Sequence, residues 1–267
     1  MIPEDKNSLI NLLNLATDYV KGGYKQEREE IPGSAGETIK TDEAVEADEE
    51  KKFSLLPLAY QVEEEEDTTL EDLGAAIVNC QACPLAKTRI KAVPGEGAED
   101  PLVMVIGEGP GADEDAAGRP FVGKAGQLLD KMLASIGLFR DKNCFIANMV
   151  KCRPPGNRDP HPEEITSCYP FLEQQIYYLM PKVILCAGRV AAQNLLKTST
   201  GIKALRGSFA ELNIGGIKIK VLPSFHPSAL LWDASLKHPA WKDLKMLRDY
   251  LASINEEYAL SLVKTNG

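Results

Sequence analysis

MVIGEGPGADEDAAGRPFVGKAG, Met104 to Gly126, begins as an apolar strand, breaks into a glycine-rich loop and passes into a helix. That order is the unit from which parallel α/β sheets are built, and loops of this kind commonly hold a phosphate on backbone N–H groups. Two phosphate-binding readings fail on specific letters. Gly118 to Ala125, GRPFVGKA, follows the P-loop pattern up to its last position, where Ala125 replaces the Ser or Thr whose hydroxyl would bind magnesium. Gly107, Gly109 and Gly111 are spaced G-x-G-x-G, not G-x-G-x-x-G, and Pro110 stiffens a backbone that the dinucleotide fold needs to turn freely. The loop is therefore expected to serve some ligand other than a nucleotide phosphate.

Outward from this stretch, strands and helices alternate. LVMVIG (Leu102 to Gly107), CFIANMV (Cys144 to Val150), KVILCAG (Lys182 to Gly188) and IKIKVLPSFHPS (Ile217 to Ser228) read as strands, the last ending in a loop. Helices are expected from the Thr69 cap to Asn79, over Gly126 to Ile136, from Pro162 to about Leu179, over RVAAQNLL, and from Pro239 to Ile254 as the closing element. The pattern predicts an α/β fold: a central parallel sheet flanked by helices, with the ligand at the carboxyl ends of the strands. That rule gathers the loops after Ile106, Val150 and Leu222 into one site.

The 267 residues carry a formal charge of −9, which by itself argues against nucleic acid. The charge is unevenly placed. Residues 1 to 67 hold 18 acidic and 7 basic side chains, leaving 21 acidic and 23 basic in residues 68 to 267. The expected organisation is an acidic, largely disordered tail over 1–67, with a short amphipathic helix at Ser8 to Val20, and a folded domain over 68–267. No partner for the tail can be named from its letters. No apolar run is long enough to span a bilayer and no signal pattern is present, so a soluble cytoplasmic protein is expected, and a monomer is the expected state.

Six cysteines in such a setting read as metal ligands or buried thiols rather than disulfides. Cys80 and Cys83 form a C-x-x-C pair, while Cys152 and Cys168 lie in separate segments next to prolines and basic residues. A zinc ribbon needs a second short pair, so four separated thiolates fit an iron-sulfur cluster better. Cys144 and Cys186 sit inside apolar strands and read as small buried hydrophobes.

The combination of CQACPL, GEGPGADEDAAGRPFVGKAGQLL, NMVKCRPPGNRDP and FHPSALL resembles the family 4 uracil-DNA glycosylases, the iron-sulfur branch of that superfamily, in matching order from Leu70 to Tyr250. The resemblance implies a [4Fe-4S] cluster on Cys80, Cys83, Cys152 and Cys168. It also implies hydrolysis of the bond between uracil and deoxyribose in single- and double-stranded DNA, the first step of base excision repair.

On that footing the remaining residues acquire expected roles. Backbone amides near Glu108 and Gly109 would face a pyrimidine carbonyl, with Pro110 beside them in the substrate-binding loop. His226 would donate to O2 of the departing base, where negative charge develops. Asn148 would read the N3 donor and O4 acceptor of uracil. Phe121 would stack on the flipped ring, and Glu114 would wall off a 5-methyl group. Glu108 is a candidate base for the attacking water, beside a dissociative route in which uracil leaves first, and Asn157 would order that water. Lys151, Arg153 and Arg158, together with Lys237, are expected phosphate contacts, and Leu230 or Leu231 would wedge into the DNA.

Two other classes compete. A protein that captures uracil-DNA without turnover would carry a basic insertion with an extra His before HPS, and GIKALRGSFAELN has none. A zinc-stabilised interaction module would leave His226 and Asn148 without a use.

Overall fold

The computed structural model describes residues 69 to 264. The tail boundary and the helix expected at Ser8 to Val20 lie outside the described residues. Six strands form one sheet: β1 (Glu96–Gly97), β2 (Val103–Gly107), β3 (Cys144–Asn148), β4 (Val183–Ala187), β5 (Ala210–Ile214) and β6 (Ile217–Ser224), in the order β1-β3-β2-β4-β6-β5. Neighbours among β3, β2, β4 and β6 run parallel. The expected parallel sheet forms the centre, and antiparallel strands extend it at both margins, β1 on β3 and β5 on β6. The cause of the second pairing is local. Gly215 and Gly216 both take positive φ, 55° and 85°, the two-residue turn that matches strand twist in a tight hairpin.

β2, β3 and β4 are buried along their whole length because both faces are covered, whereas β6 is partly exposed over Ile217 to Lys220, Ile219 apart, and is continuously buried only from Val221 on. Val103 and Val105 point to one side, where Leu129 and Leu133 of one helix and Trp241, Leu244 and Leu247 of another close the core. Met104 and Ile106 point to the other, against Leu172, Ile176 and Leu195.

In chain order the helices are α1 (Leu70–Asn79), α2 (Ala112–Ala117), α3 (Lys124–Ala134), α4 (Pro162–Leu179), α5 (Arg189–Leu195), α6 (Ile202–Leu205), α7 (Pro227–Trp232), α8 (Lys237–Ile254) and α9 (Glu256–Lys264). Thr69 caps α1 as expected: its Oγ1 accepts from the Asp72 N–H at 3.1 Å, and Asp72 Oδ2 accepts from the Thr69 N–H at 3.0 Å. Three details differ from the reading of the letters. HPSALLW forms the short helix α7 rather than a loop, α8 begins at Lys237, and α9 follows it, anchored by the Tyr258 hydroxyl donating to the Ile136 carbonyl.

β2 sits where the strand order reverses, with β3 reached on one side and β4 on the other. In open α/β sheets the crevice at such a point is where ligands bind. A separate small core of Leu73, Ile77, Leu85, Val150 and Phe171 joins α1 to α4 and encloses Cys152 and Cys168.

Candidate active site

A cleft of about 330 Å³ opens at the carboxyl ends of β2, β3 and β6. Glu108, Gly109, Pro110, Glu114, Phe121, Asn148, Asn157, Arg158 and His226 all line it. The three loops grouped from the sequence thus meet around one space, of the size that holds a small molecule.

Asn148 ends β3 and is 2 % exposed, with Oδ1 buried and without a hydrogen-bond partner. An orphaned buried acceptor costs about 1–3 kcal/mol, so a ligand N–H brought to it would recover that cost. Gly107 makes room for the amide. A Cβ there would lie 2.4 Å from Asn148 Oδ1 and 2.6 Å from Phe121 Cζ.

Phe121 takes an unusual left-handed backbone, φ 51°, and its ring stacks on His226 with centroids 5.5 Å apart. Three features hold it there. Arg140 donates to the carbonyls of Pro120 and Phe121 while pairing with Glu96 and Asp130. Glu114 accepts from the N–H groups of Gly111, Val122 and Gly123 at 3.1, 2.9 and 2.9 Å. Gly126 lets the loop close down, since a Cβ there would meet the Phe121 carbonyl at 1.8 Å. Glu114 is therefore a clamp on the loop as well as part of the cleft wall. The contribution of Arg140 has no signal in the sequence, because it lies 19 residues from the carbonyl it holds.

His226 caps α7. Its Nδ1 accepts from the Ser228 N–H at 3.2 Å and lies 2.7 Å from Ser228 Oγ. A backbone N–H can only donate, so the ring proton resides on Nε2. Burial pushes the imidazolium down to about 4, against the opposing pull of Glu114, and the ring is neutral near pH 7. Gly188, at φ 100°, gives it space, for a Cβ there would lie 2.9 Å from His226 Cβ. Glu108 is shifted the other way. Burial, then repulsion from Asp159, raises its carboxyl to about 7, while Arg189 opposes the rise. A carboxyl poised near neutrality at the floor of a cleft can exchange a proton with water.

Several expected placements need correction. Lys151 does not face solvent: it is 1 % exposed, and its Nζ donates to the Asn148 carbonyl at 3.0 Å and to Gln175 Oε1 at 2.6 Å. The apolar shell between α1 and α4 closes over it. Arg158 lines the cleft, but its guanidinium is engaged in a fork with the buried Glu164, at 2.9 and 2.7 Å. Leu230 is 1 % exposed and packs into the main core, because position 230 falls on the inner face of α7; Leu231 next to it is partly exposed. Lys237 is buried. Gly109 borders the cleft, yet what demands a glycine is Val150, whose Cγ2 would lie 2.8 Å from a Cβ. Arg153 is partly exposed and holds Asn157 through Nε to Oδ1 at 2.7 Å, with Asn157 in a left-handed conformation, φ 56°.

Cys80, Cys83, Cys152 and Cys168 line a second, smaller cavity with Ile77, Arg89 and Phe171. All four are free thiols, and Cys144 and Cys186 are buried in β3 and β4 as expected. Among the described residues no three such groups are close enough to share one metal ion. The donor set still fits a four-iron cluster, which takes one thiolate on each iron and so spreads its ligands more widely than a single tetrahedral ion. Donors already aim at the sulfurs. The Ala82 N–H reaches Cys80 Sγ at 3.4 Å, the Lys151 N–H reaches Cys168 Sγ at 3.3 Å, and Arg89 Nη1 reaches Cys152 Sγ at 3.0 Å. Burial pushes the Cys168 thiol up to about 12 and also raises Cys83 and Cys152, so a cationic partner is needed to hold these sulfurs as thiolates.

Comparison with known proteins agrees with the geometry. The family model described as the uracil DNA glycosylase superfamily matches residues 94–246. A type-4 uracil-DNA glycosylase of Archaeoglobus fulgidus is 44% identical over 183 residues, 67% of this chain and 92% of the relative. Those of Pyrobaculum aerophilum and Thermotoga maritima are 43% and 40% identical, covering 66% and 68% of this chain and 92% and 94% of theirs. A cleft at the strand ends, the linked motifs and the near-complete coverage of these relatives lead to one assignment: the chain belongs to the uracil-DNA glycosylase superfamily, among the type-4 enzymes.

Proposed function

We propose that this protein is the DNA glycosylase that opens base excision repair at uracil, hydrolysing the N-glycosidic bond to leave an abasic site and free uracil. The observation that carries this reading is the convergence of Asn148, Phe121, His226 and Glu108 on one cleft, with Asn148 Oδ1 buried and unpartnered.

In this reading the uracil is turned out of the DNA, which costs a few kcal/mol (~2–4), and enters beside Phe121. Asn148 Oδ1 accepts from N3–H while its Nδ2 donates to O4. Cytosine presents the reverse pair, so it leaves buried groups unmatched. As the glycosidic bond breaks, its electron pair moves onto the base and charge gathers at O2. The neutral His226 donates to that oxygen from Nε2 and needs no proton of its own to be lost. One such donor is typically worth ~3 kcal/mol of barrier. Glu108 in its ionised form takes a proton from the water that attacks C1′, and Asn157, held by Arg153, orders that water. Glu114 acts on the base by fixing the loop that carries Phe121.

Cys80, Cys83, Cys152 and Cys168 would hold a [4Fe-4S] cluster. When bound, it supplies a structural tie rather than a reaction step, joining the segment after α1 to the loop of Arg153 and Asn157 and to α4. Arg153 is the phosphate contact that remains after Lys151 and Lys237 are found buried and Arg158 paired. Leu231, exposed in part, replaces Leu230 as the residue able to enter the DNA stack. The substrate is uracil in single- or double-stranded DNA, handled by a monomer in the cytoplasm at the nucleoid.

Oligonucleotides bearing a single uracil, single-stranded or paired, test the reading. Incubation followed by alkali should cut the strand at the uracil, with free uracil recovered from the supernatant. Matched oligonucleotides with thymine or cytosine should remain whole. Capture of the DNA without uracil release would refute the glycosylase assignment.

A further inference from the structure

Lys151 stands between the two sites just described. Its side chain is 1 % exposed, and both acceptors of its ammonium are uncharged: the Asn148 carbonyl at 3.0 Å and Gln175 Oε1 at 2.6 Å. Gln175 is itself fixed, its Nε2 donating to the Pro94 carbonyl at 2.8 Å. Among the described residues no carboxylate forms an ion pair with Lys151. A buried cation without a counter-charge is costly, and removal of one partner from a buried pair is correspondingly disruptive. The backbone N–H of the same residue donates to Cys168 Sγ at 3.3 Å, and the cavity lined by the four cysteines is also lined by Lys151.

We propose that Lys151 is a fully buried counter-charge of the cysteine-bound cluster, additional to the half-buried Arg89 at Cys152 Sγ, and, through the same ammonium, the positioning residue that sets Asn148 in the uracil cleft. The inference rests on the reading of the four thiols and of Asn148 given above. Four thiolates outweigh the positive charge of the iron-sulfur core, so the ligated cluster is a net anion enclosed by protein. That anion gives the ammonium a reason to be inside. Once there, its N–H groups hold the carbonyl at the last residue of β3, and the direction of that peptide fixes the angle at which the Asn148 amide enters the cleft. The cluster thereby contributes to base recognition without any redox step. It also accounts for a lysine at a position whose surroundings would otherwise favour an apolar side chain.

The test compares the iron-loaded wild type with Lys151→Met and Gln175→Glu. Two quantities are read: the midpoint potential of the cluster, from an EPR-monitored redox titration, and uracil handling, as kcat, KM for DNA and inhibition by free uracil. In Lys151→Met the potential should move to more negative values, because the extra electron loses a buried cation beside the cluster. Both kcat and the affinity for free uracil should fall on the order of tenfold, with KM for DNA nearly unchanged, since phosphate contacts are untouched. A Lys151→Met protein that keeps its iron, its potential and its uracil affinity overturns the proposal.

Should Lys151→Met not retain iron, Gln175→Glu decides. Its carboxylate neutralises the ammonium in place, and the potential should again move negative; an unshifted potential overturns the proposal. A wild type that never carries iron overturns it as well. If the potentials shift as expected but the wild type releases no uracil, the glycosylase reading fails while the counter-charge stands.

Discussion

Exchange of Asp159 for Asn should move the acid limb of the excision rate to lower pH. Glu108 is lifted from its ordinary 4.5 to about 7 by burial first and by Asp159 second, with Arg189 opposing. Asp159 and Arg189 are ion-paired, and their side chains are 60% and 48% exposed. Asp159→Asn removes the repulsion and also releases Arg189 from its partner, so both changes favour the ionised carboxylate. Because burial is the leading cause, the Asp159 share is the smaller part of the rise. An exposed charge acting along a partly aqueous path is worth ~0.5–1 kcal/mol, or roughly 0.4–0.7 of a pH unit.

The ionised carboxylate is the active form, so the rate climbs with pH through the Glu108 pKa, and a lower pKa shifts that climb to lower pH. The assay is single-turnover excision from a one-uracil single strand across pH of about 5 to 9, read by alkaline cleavage. Arg189→Gln should shift the limb oppositely, and higher salt should shrink both shifts. His226, neutral above about 4, contributes no limb in that range. The reasoning fails if Glu108→Gln keeps the wild-type rate and profile, which would leave the dissociative route without a protein base, or if Asp159→Asn and Arg189→Gln shift the limb in the same direction.

Four further outcomes follow from named contacts. Cys152→Ala should lose iron and soluble yield, because a cluster bound only by the folded state adds its binding energy to folding, whereas Cys144→Ala should keep full iron by analysis of the purified protein. Gly107→Ala drives a methyl toward Asn148 Oδ1 and Phe121 Cζ, so excision should fall by roughly tenfold or more, and the overpacking should also lower stability by ~1–3 kcal/mol in urea titrations. Leu230→Ala should destabilise the fold by ~2–5 kcal/mol in urea titrations, whereas Leu231→Ala should leave stability alone and weaken excision from duplex DNA. Deletion of residues 1–67 removes a strongly acidic segment, so nonspecific DNA affinity at low salt should hold or rise, with excision intact.

The letters of this chain determine its parallel core, since runs such as LVMVIG and KVILCAG suit strands covered on both faces, and flanking helices announce their starts with Thr69 and Pro162. Spacing and motif order also single out the four cysteines that come to line one cavity and the residues that come to line the cleft, because local chemistry dictates their types. The hairpin of β5 and β6 lies outside the expected strands, although its adjacent glycines, Gly215 and Gly216, are themselves a two-residue turn signal. Which way a long side chain points is another matter. Lys151 and Arg153 sit two residues apart in one basic loop, yet one is swallowed by the shell between α1 and α4 and the other stays partly exposed. Leu230 and Leu231 are identical in type and adjacent, and only the docking of α7 on the core separates them. Likewise the left-handed Phe121 depends on Arg140, Glu114 and Gly126, partners distant in sequence whose convergence is a property of packing. Composition and periodicity act along the chain, whereas burial and charge compensation act across it, and these last decide how the site is built.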